Sequence, residues 1–383
     1  MKILVLSTTD IVKAAHSRPH QMVSHLSRKH SIDVLCTNAW WLSKKGAPLY
    51  FHEYNHNVRV EYFRNREIGP LSQEWRAASG FRRRFDQRLD GYDVIVDFDS
   101  LIVGNSATKS AKRCGLPFVF DIDDDLPSMI RTSDNVPFLL RRVAGLVSQR
   151  YLRQLCKQSD EVTATLGSLA TICGVGEGEV EVIPNGVDTE LFKPRMSVMR
   201  KRLGIDNEFV LGYVGVLREW VDLSIVFDAI RTLDNVKLII VGEEGLLAEN
   251  IGLAEKLGVK DKVIFVGTVQ YERVPDFVSA MDACLIPFRK YEVTHEAVPL
   301  KLFEYLACAK PVISSRIKGV MSLAGRRVEY YSDASDLKAL ILEFVAKRDI
   351  GGQGISNREW VEKNFGWIEI CNRFEELLVR LAS

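Results

Sequence analysis

Two doubly wound α/β halves are the fold class this sequence predicts, and three observations predict it. Short apolar runs alternate with longer amphipathic stretches along nearly the whole chain. The alternation breaks at a polar, basic stretch, Lys193–Arg202, and then restarts. Polar residues gather just after the apolar runs, where open parallel sheets place their ligand sites. A strand buried on both faces reads as a continuous apolar run. Strand–helix–strand repetition therefore means a parallel sheet lying between helices.

In the first half, Lys2–Leu6, Ile32–Cys36, Val94–Phe98, Phe118–Ile122, Glu161–Ala164 and Val180–Ile183 read as strands. After the loop Ser7–Ser17, Arg18-Pro19-His20 opens a helix that runs to Lys29. Proline suits a first turn because the N–H it lacks would have no partner there. Ala107–Lys112 lies in a helix between two strands, Asn185-Gly186 marks a turn, and Lys193–Arg202 reads as a linker. In the second half, Phe209–Val214, Val236–Val241, Val263–Val266, Ala283–Ile286 and Val312–Ser314 are strands. Asp222–Leu233, Leu246–Leu257 and Arg273–Ala280 are helices, with Asp222 as an N-cap, and the tail from Asp333 is mostly helical.

The 383 residues suffice for two or three domains with sizeable cores. A net charge of +1 argues against a dedicated nucleic-acid binder, which carries a strong basic excess. The seven cysteines form no Cys-x-x-Cys pair, which fits reduced thiols better than disulfides or a zinc site. The first ten residues hold too short an apolar core for a signal peptide, and no apolar run approaches a membrane span. A cytoplasmic protein is expected, with any peripheral contact at the inner face of a membrane. The basic cluster Arg82-Arg83-Arg84 near Phe81 and Phe85 fits either anionic headgroups or an ordinary solvated surface.

The most informative stretch is 295–313. Pro299 leads a helix and disfavours helix at Val298, so Glu296 falls on the preceding loop. At 100° per residue Lys301, Glu304, Tyr305 and Cys308 share one face, and Leu302, Phe303, Leu306 and Ala307 the other. The second set is expected to be core and the first to face something polar. A helix start offers free amides to an anion. The amides of Leu300 and Leu302 together with Lys301 suit phosphates, and the two carboxylates suit sugar hydroxyls. A surface helix with a Lys301–Glu304 pair is the plainer alternative.

Here the chain resembles a known family. Glu296, seven residues, Glu304 and then Lys310-Pro311-Val312-Ile313 is similar to the signature of the retaining GT-B glycosyltransferases of family 4, also called group 1. A second match is Val-Ile-Pro-Asn-Gly-Val-Asp-Thr-Glu-Leu-Phe-Lys-Pro at 182–194, which joins two domains in that family. The two matches, in this order and about 110 residues apart, make the resemblance specific. It implies two Rossmann-like domains facing each other across a cleft: 1–190 for the acceptor and 191–365 for the nucleotide sugar. A last helix, 366–383, would pack back on the first domain.

The resemblance implies a hexosyltransferase that moves a sugar from a UDP- or GDP-sugar to a glycan or lipid-linked hydroxyl, without cofactor or metal. Glu296 would hold the sugar, Glu304 the ribose, and Gly215, Gly242, Glu243 and Val269 would lie around the nucleotide. The family's usual Arg after the loop glycine is replaced by Val216, and its Lys-Gly is missing. Arg218 and Lys301 are the cations that take their place. His295 adjoins the sugar site. Arg18 and His20 follow the first strand, near the donor phosphates or the acceptor. Asp123, Asp124 and Asp125 are consecutive carboxylates at a strand end, and Asp123 or Asp124 is expected to receive the acceptor hydroxyl, with helix capping as the alternative. Catalysis is assigned to Glu296, Arg218, Lys301 and Asp124. A nucleotide-sugar epimerase and a non-catalytic carbohydrate-binding subunit remain open. A dinucleotide-dependent dehydrogenase is disfavoured, since no Gly-x-Gly-x-x-Gly follows the first strand.

Overall fold

The computed structural model describes residues 1–38, 51–63, 73–79, 89–132, 136–196, 198–242, 245–347 and 351–383. The chain divides into two compact units, Met1–Asn185 with Ile368–Ser383, and Gly186–Trp367.

The strands of the first unit are β1 (Lys2–Ser7), β2 (Ser31–Cys36), β3 (Val58–Tyr62), β4 (Val94–Phe98), β5 (Phe118–Ile122), β6 (Glu161–Ala164) and β7 (Glu181–Val182). They form a parallel sheet in the order β3-β2-β1-β4-β5-β6-β7. The chain winds outward from β1 in both directions, so the switch point lies between β1 and β4. Val5, Val96 and Val119, on three neighbouring strands, are fully buried, which explains why these strands read as unbroken apolar runs. The helix Leu101–Cys114 is longer than the expected Ala107–Lys112 and stops where Gly115 turns left-handed at φ 65°. The C-terminal helix Trp367–Ala382 buries Ile370, Cys371, Phe374, Leu377 and Leu378 along one stripe. Its residues meet the rest of this unit at Phe98, whose ring lies 6.3 Å from that of Phe374, and at Met22, 3.5 Å from the Cys371 Sγ. Full burial of a Leu or Phe side chain stabilises by about 1.5–3 kcal/mol.

The second unit holds β8 (Phe209–Val214), β9 (Val236–Val241), β10 (Val263–Gly267), β11 (Ala283–Ile286), β12 (Val312–Ser315) and β13 (Glu329–Tyr331). These form a second parallel sheet, in the order β10-β9-β8-β11-β12-β13. Each unit is thus doubly wound, as the alternation of apolar runs requires.

Four features depart from the sequence reading. Strands β3 and β13 and the long helix Phe138–Gln158 escaped it. That helix exposes much of its apolar surface, so its pattern is not that of a core stripe. The stretch 193–202 is not a free linker either: Met199 is buried, Arg195 pairs with Asp276 at 3.0 Å, and Arg200 pairs with Asp282 at 3.0 Å. Among the described residues no helix is long and apolar enough to cross a membrane. Arg82, Arg83 and Arg84 lie outside the described residues.

Candidate functional site

In the second unit the carboxyl ends of three adjacent strands are pinned by glycine. Gly215 and Gly242 follow β8 and β9 with φ of 135° and 134°, a region that L side chains rarely occupy. The Gly215 N–H donates to the Val241 carbonyl and the Gly242 N–H to the Gly267 carbonyl, each at 2.9 Å. A Cβ at Gly242 would stand 2.2 Å from the Gly215 carbonyl oxygen, so no other residue fits without moving backbone. Glu243 lies outside the described residues. Val269, just past β10, is half-buried.

Lys301 enters this corner from the helix Leu300–Ala307. Its ammonium lies 5.1 Å from the Tyr213 ring centre and 5.2 Å from that of Phe288. It stands 3.0 Å from where a Cβ on Gly215 would be. The Lys301–Glu304 ion pair of the plainer alternative does not form. Among the described residues Lys301 has no hydrogen-bond or ion-pair partner, and burial pulls its pKa down to about 8 against the pull of Glu304. The amides of Leu300 and Lys301 find no acceptor among the described residues, whereas the Leu302 N–H turns back to the Pro299 carbonyl at 2.9 Å. Pro299 itself occupies the N-cap, one residue ahead of the helix. An unpaired cation next to orphan helix amides is suited to an anion.

Glu304, 7% exposed, accepts a hydrogen bond from the Tyr271 hydroxyl at 2.9 Å. Burial pushes its pKa up to about 7, with the Tyr271 hydrogen bond and Lys301 opposing. The two-faced picture of this helix needs correction. Tyr305 and Cys308 are as buried as Leu302 and Phe303, because the Tyr305 hydroxyl reaches β8 and accepts the Val214 N–H at 2.8 Å. The polar face is thus narrowed to Lys301 and Glu304.

Glu296 caps the short helix Glu292–His295 and is paired with Lys318 at 2.6 Å. Gly319 permits this: a Cβ there would fall 2.5 Å from the Glu296 and Ala297 carbonyl oxygens, so the helix Lys318–Ala324 rests directly on the loop. Its neighbour His295 is exposed, as is Arg218. Asp222 holds the N-cap position of Leu223–Ile230, but its carboxylate takes the Ser224 hydroxyl and Arg289 rather than a helix amide.

In the first unit the expected pool of polar residues is reorganised. Arg18 is fully buried and grips Asp121 with two bonds, Nε to Oδ2 at 2.7 Å and a terminal nitrogen to Oδ1 at 2.9 Å. Its other terminal nitrogen reaches the Pro184 carbonyl at 2.9 Å and Asn185 Oδ1 at 3.4 Å. A guanidinium so enclosed does not fit the expected phosphate contact; it ties the end of β5 to the 182–194 motif. His20 is likewise interior, at 2% exposed, stacked on His16 and tilted against His52, with ring centres 5.4 and 4.2 Å away. Its Nδ1 accepts the Ser17 N–H at 3.1 Å, fixing the start of its own helix. Burial, then His52 and His16, pushes its pKa well down. An exposed acceptor-binding role does not fit this placement.

The aspartates divide their work. Asp125 caps the helix Leu126–Thr132, accepting the Ser128 N–H at 3.0 Å, so capping falls to neither Asp123 nor Asp124. Asp123 accepts the Asn185 amide at 2.8 Å. Asp124 has no side-chain hydrogen bond among the described residues, and burial with Asp123 and Asp125 beside it pushes its pKa up to about 7. Asp99 joins them from the end of β4 in a left-handed conformation at φ 63°. Burial, then Asp123 and Asp124, pushes its pKa well up.

The resemblance placed the stretch 267–273, with Tyr271 in it, beside the base but did not pair Tyr271 with Glu304, and sequence reasoning missed Lys318, Asn185 and Asp99 as members of these clusters. The Asp-x-Asp spacing at 97–99, echoing 121–123 on the neighbouring strand, was the available signal for the last.

A family model for glycosyl transferases group 1 matches residues 196–351, and one for glycosyltransferase family 4 matches residues 18–191. A protein of Bacillus subtilis (strain 168) named as a teichuronic acid biosynthesis glycosyltransferase, TuaH, is 28% identical over 147 residues, covering 37% of this chain and 36% of that protein. The D-inositol 3-phosphate glycosyltransferase of Segniliparus rotundus is 28% identical over 224 residues, covering 54% of this chain and 47% of that protein. The chain thus spans about a third to a half of the length of these two relatives. Among solved structures, HepE of Anabaena in complex with UDP superposes with a TM-score of 0.75 at 20% identity, covering 99% of this chain and 100% of that one. With one family model on each half, and with both halves doubly wound, the chain belongs to the group 1, family 4-like glycosyltransferases of GT-B fold.

Proposed function

We propose that the protein moves a sugar, with retention at its anomeric carbon, from a UDP- or GDP-sugar to a hydroxyl of a glycan or lipid-linked acceptor in surface polysaccharide or glycan biosynthesis. The observation that carries this reading is Lys301, a cation without a partner among the described residues, beside the open amides of Leu300 and Lys301. Similar proteins support it: HepE is solved with UDP, and TuaH and the Segniliparus protein are named as glycosyltransferases.

As the bond from the anomeric carbon to the diphosphate breaks, negative charge grows on the leaving phosphate oxygen. Lys301, Arg218 and the two amides are the donors that meet that charge in this reading. The same oxygen takes the acceptor's proton while the acceptor oxygen bonds to carbon on that face, so no side chain attacks. Glu296, held by Lys318, receives sugar hydroxyls beside His295. Glu304, held by Tyr271, receives the ribose, and Gly242 and Val269 line the base. Asp124, whose carboxylate has no hydrogen bond among the described residues, receives the acceptor hydroxyl, with Asp123 beside it. No metal is needed for these steps.

The test is turnover of a panel of UDP- and GDP-sugars with glycan and lipid-linked acceptors, with product anomers read by NMR. Removing one charge-stabilising donor commonly costs on the order of 100-fold or more in rate. Arg218→Ala or Glu304→Gln turning over at the wild-type rate overturns the assignment. Donor converted without acceptor points to an epimerase, and binding without release of nucleoside diphosphate points to a non-catalytic subunit.

A further inference from the structure

The helix Phe138–Gln158 carries six of the large apolar side chains left exposed among the described residues, all within its first ten positions. Phe138 is 80% exposed, Leu139 87% and Leu146 63%, with Leu140, Val143 and Val147 also bare. At 100° per residue Leu139, Val143, Leu146 and Val147 form one stripe, and Arg150, Arg153 and Lys157 continue the same face toward the C-terminus. The opposite face is fixed to this unit: Gly145, Ser148, Leu152, Leu155 and Cys156 are buried. Arg131 of the neighbouring helix crosses at Gly145, where a Cβ would stand 2.2 Å from its side chain.

Charge decides what covers the bare face. Between 138 and 158 the sequence holds four arginines and one lysine and no Asp or Glu. Arg142, Arg150, Arg153 and Lys157 are exposed. None of these four has an ion pair among the described residues. A second copy of the chain docked face to face would set this helix against itself, cation against cation with no carboxylate to relieve it. An apolar stripe flanked by cations alone matches instead the boundary of an anionic bilayer, with the aliphatic and aromatic groups among the acyl chains and the guanidinium groups at the phosphates.

We propose that the exposed face of Phe138–Gln158 is a docking surface for anionic lipid membranes. The proposal does not depend on the reaction proposed above. The helix lies in the interface plane without spanning it. Leu139, Val143 and Leu146 are the inserted anchors, and Arg142, Arg150 and Arg153 are the electrostatic ones.

The test is co-sedimentation of the full chain with vesicles of equimolar phosphatidylglycerol and phosphatidylcholine, against phosphatidylcholine alone, at low and high salt. The wild type is expected to pellet with the anionic vesicles and to be released by salt. Arg142→Gln with Arg150→Gln is expected to weaken binding about tenfold or more, and Leu139→Ser with Leu146→Ser by at least as much. Both variants replace exposed residues, and unchanged melting temperatures would show them folded. Equal binding to neutral vesicles, no binding to anionic ones, or wild-type binding by both variants overturns the proposal. So does a dimer in solution that Leu139→Ser with Leu146→Ser dissociates, since the face would then belong to a second copy.

Discussion

The Tyr271 hydroxyl donates to Oε1 of Glu304 at 2.9 Å, joining the turn after β10 to the helix that carries Lys301. Glu304 has little solvent of its own, so this bond decides both where the carboxylate points and how readily it ionises. Tyr271→Phe removes a donor that favours the charged form, and the Glu304 pKa is expected to climb above 7. Nucleoside diphosphate affinity near pH 7 should fall by about tenfold, the usual scale for a hydrogen bond to a charged group, and should recover at higher pH. Calorimetric titration at two pH values reads this directly. Equal affinity for variant and wild type at both would remove Glu304 from the ribose role.

Lys301 and Glu304 together set a pH window. Glu304 accepts hydroxyl hydrogen bonds fully once ionised, above about 7. Lys301 attracts phosphate while protonated, below about 8. Affinity for UDP or GDP is therefore expected to rise through the first value and fall through the second. Lys301→Met should abolish the alkaline fall and Glu304→Gln the acid rise. A flat profile for the wild type between pH 6 and 9 (about a unit beyond each value) would contradict the assignment of both groups.

Arg18 supports a different expectation. Its guanidinium lies inside the first unit on Asp121, so Arg18→Met strands a buried carboxylate and should cost about 3–5 kcal/mol. Thermal denaturation would show it, and Arg18→Met with Asp121→Leu should recover part of the loss by removing the stranded charge. A variant that melts like the wild type but loses donor affinity would restore Arg18 as a phosphate ligand.

Strand positions were legible to the extent that burial on both faces leaves a mark in the sequence. Lys2–Leu6, Val94–Phe98, Phe118–Ile122 and Phe209–Val214 read as apolar runs and are such strands. The helix Phe138–Gln158 was not legible, because Leu152, Leu155 and Cys156 serve the core from one face while Phe138, Leu139, Leu140, Val143, Leu146 and Val147 are exposed on the rest, so its apolar residues do not mark a single buried stripe.

The acids and cations around 295–304, the glycines after β8 and β9, and the doubly wound class were determined by the sequence alone, since each is a matter of residue type, spacing and backbone freedom. Which charge meets which was decided by tertiary structure. Lys301 stays apart from Glu304 three residues away, because Tyr271 takes the carboxylate and two aromatic rings hold the ammonium. Arg18, a free cation on paper, is consumed by Asp121, 103 residues distant. Pairing energies inside a protein depend on distance and desolvation, and neither is written in the order of residues along a chain.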